Sequence, residues 1–110
     1  MGKGDYLGEF EIVVLSTLLH LGDNAYGMTI RCAIEERTDR SVSIGAIYAT
    51  LRRLERKGLV VSRLGEPTAE RGGRAKRFFG LETAGEEAVA RSRAMFSRLW
   101  EDLAEPPSPV

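Results

Sequence analysis

The chain has 110 residues, of which 43% are hydrophobic and 29% are charged, a composition typical of one soluble globular domain. Lysine and arginine balance aspartate and glutamate at 16 each, so net charge alone neither predicts nor excludes a nucleic-acid partner. The single cysteine excludes an internal disulfide, and the sequence shows no metal-ligand spacing, no membrane-spanning stretch and no secretory signal, which favours a cytoplasmic protein without a cofactor.

The first part of the chain predicts two helices. After a lead-in of residues 1–7, apolar residues at helical spacing predict helix one over Gly8–Leu21. A Gly-Asp-Asn turn follows, and Asn24 is expected to cap helix two over Ala25–Thr38. Gly27, in the first turn of helix two, would permit close contact with another helix.

The segment Ser41–Leu64 is the most informative part of the chain. Ser43 is a good N-cap for a third helix, and Gly58 follows it where a left-handed C-terminal cap is expected. The apolar stripe of this helix comprises Ile44, Ile47, Leu51 and Leu54. Roughly opposite lie Gly45, Ala49, Arg52, Arg53 and Arg56. Small residues and arginines on one face would let the helix approach a polyanion closely.

Two short β-type runs, Leu59–Leu64 and Arg77–Leu81, flank a turn-rich loop and predict a hairpin. Helix two, a turn and helix three followed by a hairpin predict a winged helix-turn-helix. This is a mainly α fold with a β-hairpin wing, in the α+β class, over residues 1–82. A plain three-helix bundle without a role on DNA is the alternative, and the hairpin argues against it.

The charge distribution agrees with this arrangement. Residues 41–80 hold nine basic and three acidic side chains, so this segment carries +6 and the remainder carries −6. A basic segment between acidic ones is typical of an electrostatic footprint for nucleic acid, although a solvated charged surface would give the same pattern.

The end of the chain predicts a fourth helix, over residues 83–104, with Thr83 and Glu86 as a capping box. Its apolar stripe is wide for an element appended to so small a body, which predicts a homodimer built on this helix. Residues 105–110 are expected to form a disordered tail. The candidate interface residues are Val89, Phe96, Leu99, Trp100 and Leu103.

Two sequence stretches carry a recognisable pattern. One is Tyr26-Gly27 together with the run SIGAIYATLRRLERKGLV from Ser43 to Val60, and the other is GRAKRFFGLETAG from Gly73 to Gly85. Together they resemble the PadR family of bacterial transcriptional regulators. The resemblance covers roughly residues 10–103, with a single C-terminal helix as in the family's short-tailed branch. It implies a winged-helix dimer that binds a palindromic operator, usually as a repressor.

The sequence departs from the family pattern in three details. Ala49 stands where proline is common, Phe78-Phe79 replaces a tyrosine-rich wing strand, and Glu82 shifts the usual threonine. The resemblance also implies that Tyr48 contacts DNA and that Trp100, with Phe96, could line a cavity for a small aromatic effector. Ordinary packing in the core or at the dimer interface is the alternative for both aromatic positions.

The residue chemistry assigns roles on DNA. Arg52 is expected to reach bases, Arg56 and Lys57 to contact phosphates, and the serines at the start of helix three to donate to phosphate. The wing cations would reach phosphates or the minor groove. The complete predicted set is Ser41, Ser43, Gly45, Tyr48, Ala49, Arg52, Arg53, Arg56, Lys57, Arg71, Arg74 and Lys76.

The sequence thus predicts a DNA-binding transcriptional regulator. An interaction module that uses a winged helix without reading DNA is the alternative. An enzyme is not expected, because no Asp, Ser or Cys partner is suggested for His20, Cys32 is expected to be a small buried residue, and the paired glycines at 72–73 are explained by the wing.

Overall fold

The computed structural model describes residues 7–66 and 75–103. Its elements are α1 (Glu9–Leu21), α2 (Gly27–Thr38), α3 (Ile44–Arg56), β1 (Val60–Leu64), β2 (Arg77–Leu81) and α4 (Thr83–Trp100), with a 3-10 turn at Gly22–Asn24. This order of a helix, a helix-turn-helix, a hairpin and a last helix confirms the predicted fold. The predicted tail lies outside the described residues, as does the lead-in apart from Leu7.

The core lies where the first three helices meet the base of the hairpin. Three of the four apolar residues predicted on α3 are fully buried, and Ile44 is half-buried at the edge. The buried apolar side chains are Val14, Leu15, Leu18, Ala25, Ile30, Ile34, Ile47, Leu51, Leu54, Val60, Phe79 and Ala88. Because α3 is fixed by this core, its opposite face is held outward in one orientation.

The wing is an antiparallel hairpin whose register runs from Val60 opposite Leu81 to Leu64 opposite Arg77. Its second strand also pairs with the chain just before α2. Tyr26 bridges to Phe78, and the Phe79 N–H donates to the Ala25 carbonyl at 2.8 Å. The wing is therefore tied to the helix-turn-helix by backbone hydrogen bonds as well as by side chains.

This pairing explains why α2 begins later than predicted. Ala25 and Tyr26 are extended because they pair with β2, so the cap assigned to Asn24 is wrong, and Asn24 belongs to the 3-10 turn. Tyr26 is the N-cap instead, and its N–H donates to the Thr29 hydroxyl at 3.0 Å. Cys32, on the same helix, is exposed, so its predicted burial is wrong as well.

The ends of α3 agree with the sequence. The Ser43 hydroxyl accepts the Ala46 N–H at 3.0 Å, which confirms the predicted N-cap. Gly58 has a φ of +77°, the left-handed backbone that glycine adopts without a steric cost. Ser43 therefore fixes where the arginine-bearing helix begins, and Gly58 fixes where it ends and the wing begins.

The beginning of α4 is set by contacts with the start of the hairpin. Glu82 is the N-cap and its N–H donates to the Leu59 carbonyl at 3.0 Å, so the capping box predicted from Thr83 and Glu86 is wrong. Gly85 lies directly against that carbonyl. The helix ends at Trp100, earlier than predicted, and the division of the chain after residue 82 stays a prediction.

Candidate nucleic-acid interface

One face of α3 points away from the core and carries five of the predicted contact residues. Positions 45, 48, 49, 52, 55 and 56 recur at helical spacing. All are exposed except Tyr48, which is half-buried. Glu55 belongs to this face although the sequence analysis did not select it, and its presence makes the face mixed in charge.

This face forms one wall of an open groove of about 820 Å³. The other walls come from the first turn of α2 and from the inner face of the wing. The lining residues are Tyr26, Gly27, Met28, Ile44, Tyr48, Arg52, Glu55, Ser62, Leu64, Ala75, Lys76, Arg77 and Phe79. Three cations line it against one carboxylate, so the groove is suited to an anionic polymer.

Tyr48 is held by close packing at the start of α2. A β-carbon on Gly27 would lie 2.8 Å from the Tyr48 hydroxyl oxygen and 3.2 Å from its ring carbon Cζ. The ring also tilts against Phe79, with centroids 5.9 Å apart. Gly27 therefore permits the close helix contact expected from its position, and it leaves the Tyr48 hydroxyl in the groove beside the N-terminal turn of α2.

Two cations of the wing, Lys76 and Arg77, lie at the same groove. The Lys76 ammonium lies 4.4 Å from the Tyr26 ring centroid, a cation–π contact that holds it beside α2. The Arg77 guanidinium donates to the Ser62 hydroxyl at 3.2 Å. Arg71 and Arg74, also predicted to contact DNA, lie outside the described residues.

Arg53 and Lys57 differ from the other predicted cations. They turn towards α1, where Arg53 Nε lies 3.0 Å and Lys57 Nζ 2.9 Å from one carboxylate oxygen of Glu11. Glu11 also accepts the Gly8 N–H at 2.9 Å, and its side chain is only 7% exposed. The two cations tie the second half of α3 to α1, which gives them a structural role.

The Glu11 carboxyl has a perturbed pKa. Burial raises it, but the hydrogen bonds from Gly8, Lys57 and Arg53 and the Lys57 charge outweigh burial, so the pKa lies below its ordinary value. A lowered pKa in the folded state means that the ionised carboxylate stabilises the fold above the ordinary pKa. This stabilisation is lost as pH falls through the lowered value.

We expect Glu11→Gln to reduce stability by about 1 kcal/mol at neutral pH, a figure discounted for the partial exposure of both cations. The loss should shrink as acid protonates the wild-type carboxylate. Urea unfolding of both proteins between about pH 7 and about pH 3 measures this convergence. Glu9→Gln is the matched control, since Glu9 pairs with Arg40 but is 83% exposed. If the free energies of unfolding of the wild type and Glu11→Gln differ by the same amount at every pH, Glu11 does not have the lowered pKa described here.

The predicted interface residues, four on α4 and Leu103 just beyond it, are mostly uncovered. Leu99, Trp100 and Leu103 are each more than 60% exposed, whereas Val89 and Phe96 are half-buried. The Phe96 and Trp100 rings stack with centroids 5.0 Å apart and planes 17° from parallel. Beside them a shallow groove of about 270 Å³ separates α4 from Ile12 and Ser16 of α1.

Four polar residues that form hydrogen bonds near the predicted site were not predicted from the sequence. Glu11, Glu55, Ser62 and Arg77 were not selected, although Glu55 follows Arg52 by three residues and Tyr48 by seven and so shares their face. Glu11 and Ser62 carried no comparable signal, because their partners lie 42 and 7 residues away in the chain.

Within residues 7–66 and 75–103, no helix combines the length and apolar character needed to cross a membrane. The same residues contain no group of three histidine, cysteine, aspartate or glutamate side chains placed to hold a metal ion.

A helix-turn-helix whose second helix exposes one face in an open groove, followed by a hairpin that lines the same groove, defines a winged-helix protein. The sequence profile of the transcriptional regulator PadR-like family matches residues 14–91. The chain belongs to this family, which confirms the resemblance read from the sequence. Members of the family are transcriptional regulators and not enzymes.

Solved structures share the fold. A PadR family transcription regulator from Clostridium difficile R20291 is 23% identical with a TM-score of 0.71, over 84% of this chain and 91% of that one. A PadR-like transcription factor from Bacteroides fragilis is 24% identical with a TM-score of 0.70, over 84% of both chains. F93 from STIV, a winged-helix DNA-binding protein, is 18% identical with a TM-score of 0.67, over 90% of this chain and 99% of that one. A search of curated protein sequences found no significant match.

Proposed function

We propose that this regulator binds double-stranded DNA sequence-specifically, with α3 in the major groove and the wing beside it. The observation that carries the proposal is the groove in which Arg52, Lys76 and Arg77 converge on the exposed face of α3. Guanidinium groups pair with guanine edges or phosphates, and an ammonium neutralises phosphate. Family membership supports the same function.

The start of α2 completes a phosphate-binding edge in this proposal. Tyr26, Gly27 and Met28, the N-cap and the first two residues of α2, line the groove, so the N-terminus of this helix contributes its partial positive charge there. The Tyr48 hydroxyl lies beside it and Lys76 lies above Tyr26. We assign Ser41, Ser43, Gly45, Ala49 and Arg56 to flanking contacts along α3.

Binding to a duplex selected from a random-sequence pool tests this function. We expect selection to yield a recurring sequence, and the affinity for it to fall by roughly a thousandfold between about 50 and about 200 mM salt. Steep salt dependence follows from the release of counterions when cations neutralise phosphates. Failure to select any sequence, or binding that ignores salt, would favour an interaction module that does not read DNA.

The finer proposal is a homodimer joined through α4. Among the described residues this helix buries only Gly85 and Ala88, and its outer half carries an exposed apolar stripe. An exposed stripe of this kind, beside the groove against α1, fits a second copy of the chain. Two copies would read the halves of a palindromic operator in the cytoplasm, and a repressor would act by occupying it.

We expect the wild type to sediment at twice the chain mass of 12.1 kDa and Leu99→Glu to sediment as a monomer. A carboxylate at the centre of an apolar interface would be desolvated without a partner. Val61→Glu is the matched control, because Val61 is also an exposed apolar residue but lies on the wing. A Leu99→Glu protein that remains dimeric would remove α4 from the interface.

The stacked Phe96 and Trp100 rings also support a small aromatic effector as a second proposal for the α4 groove. Planar aromatic compounds that enter beside these rings would change the emission of Trp100, the only tryptophan in the sequence. If no such compound alters the emission of Trp100, the groove serves only in packing between subunits.

A further inference from the structure

A chain of hydrogen bonds connects the exposed face of α3 to both strands of the wing. The Arg77 guanidinium donates to the Ser62 hydroxyl at 3.2 Å, and this hydroxyl donates to the Glu55 carboxylate at 2.9 Å. Glu55 belongs to α3, Ser62 to β1 and Arg77 to β2. The three side chains therefore connect α3 to both strands of the wing on one side of the groove.

A carboxylate at position 55 is unexpected, because the other charged residues of the groove are cations. It lines the same groove as Arg52, Lys76 and Arg77, and a carboxylate there repels the DNA backbone. The Glu55 carboxylate accepts the Ser62 hydroxyl, which lies beyond the turn at Gly58. A residue that lowers electrostatic attraction but fixes the wing fits a role in discrimination between duplexes, not in overall affinity.

The position of the wing matters because α3 and the wing contact different parts of a duplex. Their separation is matched to groove width and to the path of the backbone, both of which depend on DNA sequence. A wing held at one distance from α3 satisfies both sets of contacts only on a duplex of matching shape. Without a link to α3, the wing would still be held at the start of α2 by its backbone bonds, but its distance from α3 could adjust to more duplexes.

We propose that Glu55 is a positioning residue that acts through Ser62 and Arg77 to hold the wing at a fixed distance from α3, and so raises the preference for specific over non-specific DNA. This inference rests on the proposed DNA-binding function. In this proposal Glu55 contacts no base, and its role differs from that of the arginines on the same face.

The test compares affinity for the duplex selected by the wild type with affinity for a shuffled duplex of the same length, at one salt concentration. The variants are Glu55→Ala, Glu55→Gln, Ser62→Ala and the double variant Glu55→Ala/Ser62→Ala. Glutamine retains an oxygen that accepts the Ser62 hydroxyl but removes the charge. Glu87→Ala is the matched control, since it removes one exposed carboxylate from α4.

We expect Glu55→Ala and Ser62→Ala each to lower the specific-to-non-specific ratio about threefold, the effect of losing one solvent-exposed hydrogen bond. The double variant should be no worse than either single one, because both break the same chain. Glu55→Gln and Glu87→Ala should retain the wild-type ratio. Thermal unfolding of each variant shows that the fold is intact.

Two results overturn the inference while leaving the proposed function in place. One is an unchanged ratio in Glu55→Ala. The other is a Glu55→Gln variant that resembles Glu55→Ala, with affinity raised equally for both duplexes, since the carboxylate then acts by charge alone. A wild type that selects no duplex overturns the proposed function itself and removes the inference with it.

Discussion

Replacing Gly85 with alanine is expected to destabilise the protein by about 2 kcal/mol, the net of two opposed effects. A β-carbon at this position would overlap the Leu59 carbonyl oxygen and lie 3.2 Å from the carbonyl carbon. The obstacle is backbone that is already bonded to the Glu82 N–H, so it cannot rotate away as a flexible side chain would. Overpacking of about 3 kcal/mol exceeds the gain of about 1 kcal/mol from removing a helical glycine.

Urea unfolding of Gly85→Ala beside Gly45→Ala measures this effect with an internal control. Gly45 also lies in the first turns of a helix, but the nearest atom to a new β-carbon there, the Ser43 hydroxyl oxygen, is 4.0 Å away. Alanine at position 45 should therefore stabilise the protein by about 0.5–1 kcal/mol. Equal midpoints for the two variants would mean that α4 can shift away from the hairpin without cost.

The adjacent arginines of α3 are expected to give opposite results. Arg52→Ala should weaken binding to the selected duplex by roughly a hundredfold with little change in stability, since each lost guanidinium contact costs about 1–3 kcal/mol. Arg53→Ala should instead lower stability, because buried Glu11 then retains only Lys57 and the Gly8 N–H as partners. Its DNA affinity should fall by less than about tenfold.

Anisotropy titrations at one salt concentration, with urea unfolding of the same preparations, separate the two arginines. Each variant is the control for the other, because both remove one guanidinium from the same turn of the same helix. A greater loss of affinity in Arg53→Ala than in Arg52→Ala would mean that Arg53 leaves Glu11 to contact DNA.

The helix-turn-helix and the wing could be predicted from the sequence because their signals are local. The stripe from Ile44 to Leu54 has helical periodicity, Ser43 has the side chain that a cap requires, and Gly58 lies where the helix must end. None of these inferences depends on what the helix packs against. The family match covers the same residues, and it indicates the same fold as these local signals do.

The interactions that the sequence did not predict are non-local. Periodicity places Arg52 and Arg53 a quarter-turn apart, but only the packing of α1 brings Glu11 to Arg53. In the same way, the pairing of β2 with Ala25 and Tyr26 decides where α2 begins, and the Leu59 carbonyl decides how α4 begins. At each of these positions tertiary hydrogen bonds determine the backbone conformation, and they outweigh local propensity.

The exposure of Cys32 has a practical consequence for measurement. It is the only thiol in the sequence and lies on the outer surface of α2. A nitroxide attached there would label each chain once, without the removal of other cysteines. In a dimer, the distance between two such labels would report the separation of the two helix-turn-helix units, free and on DNA.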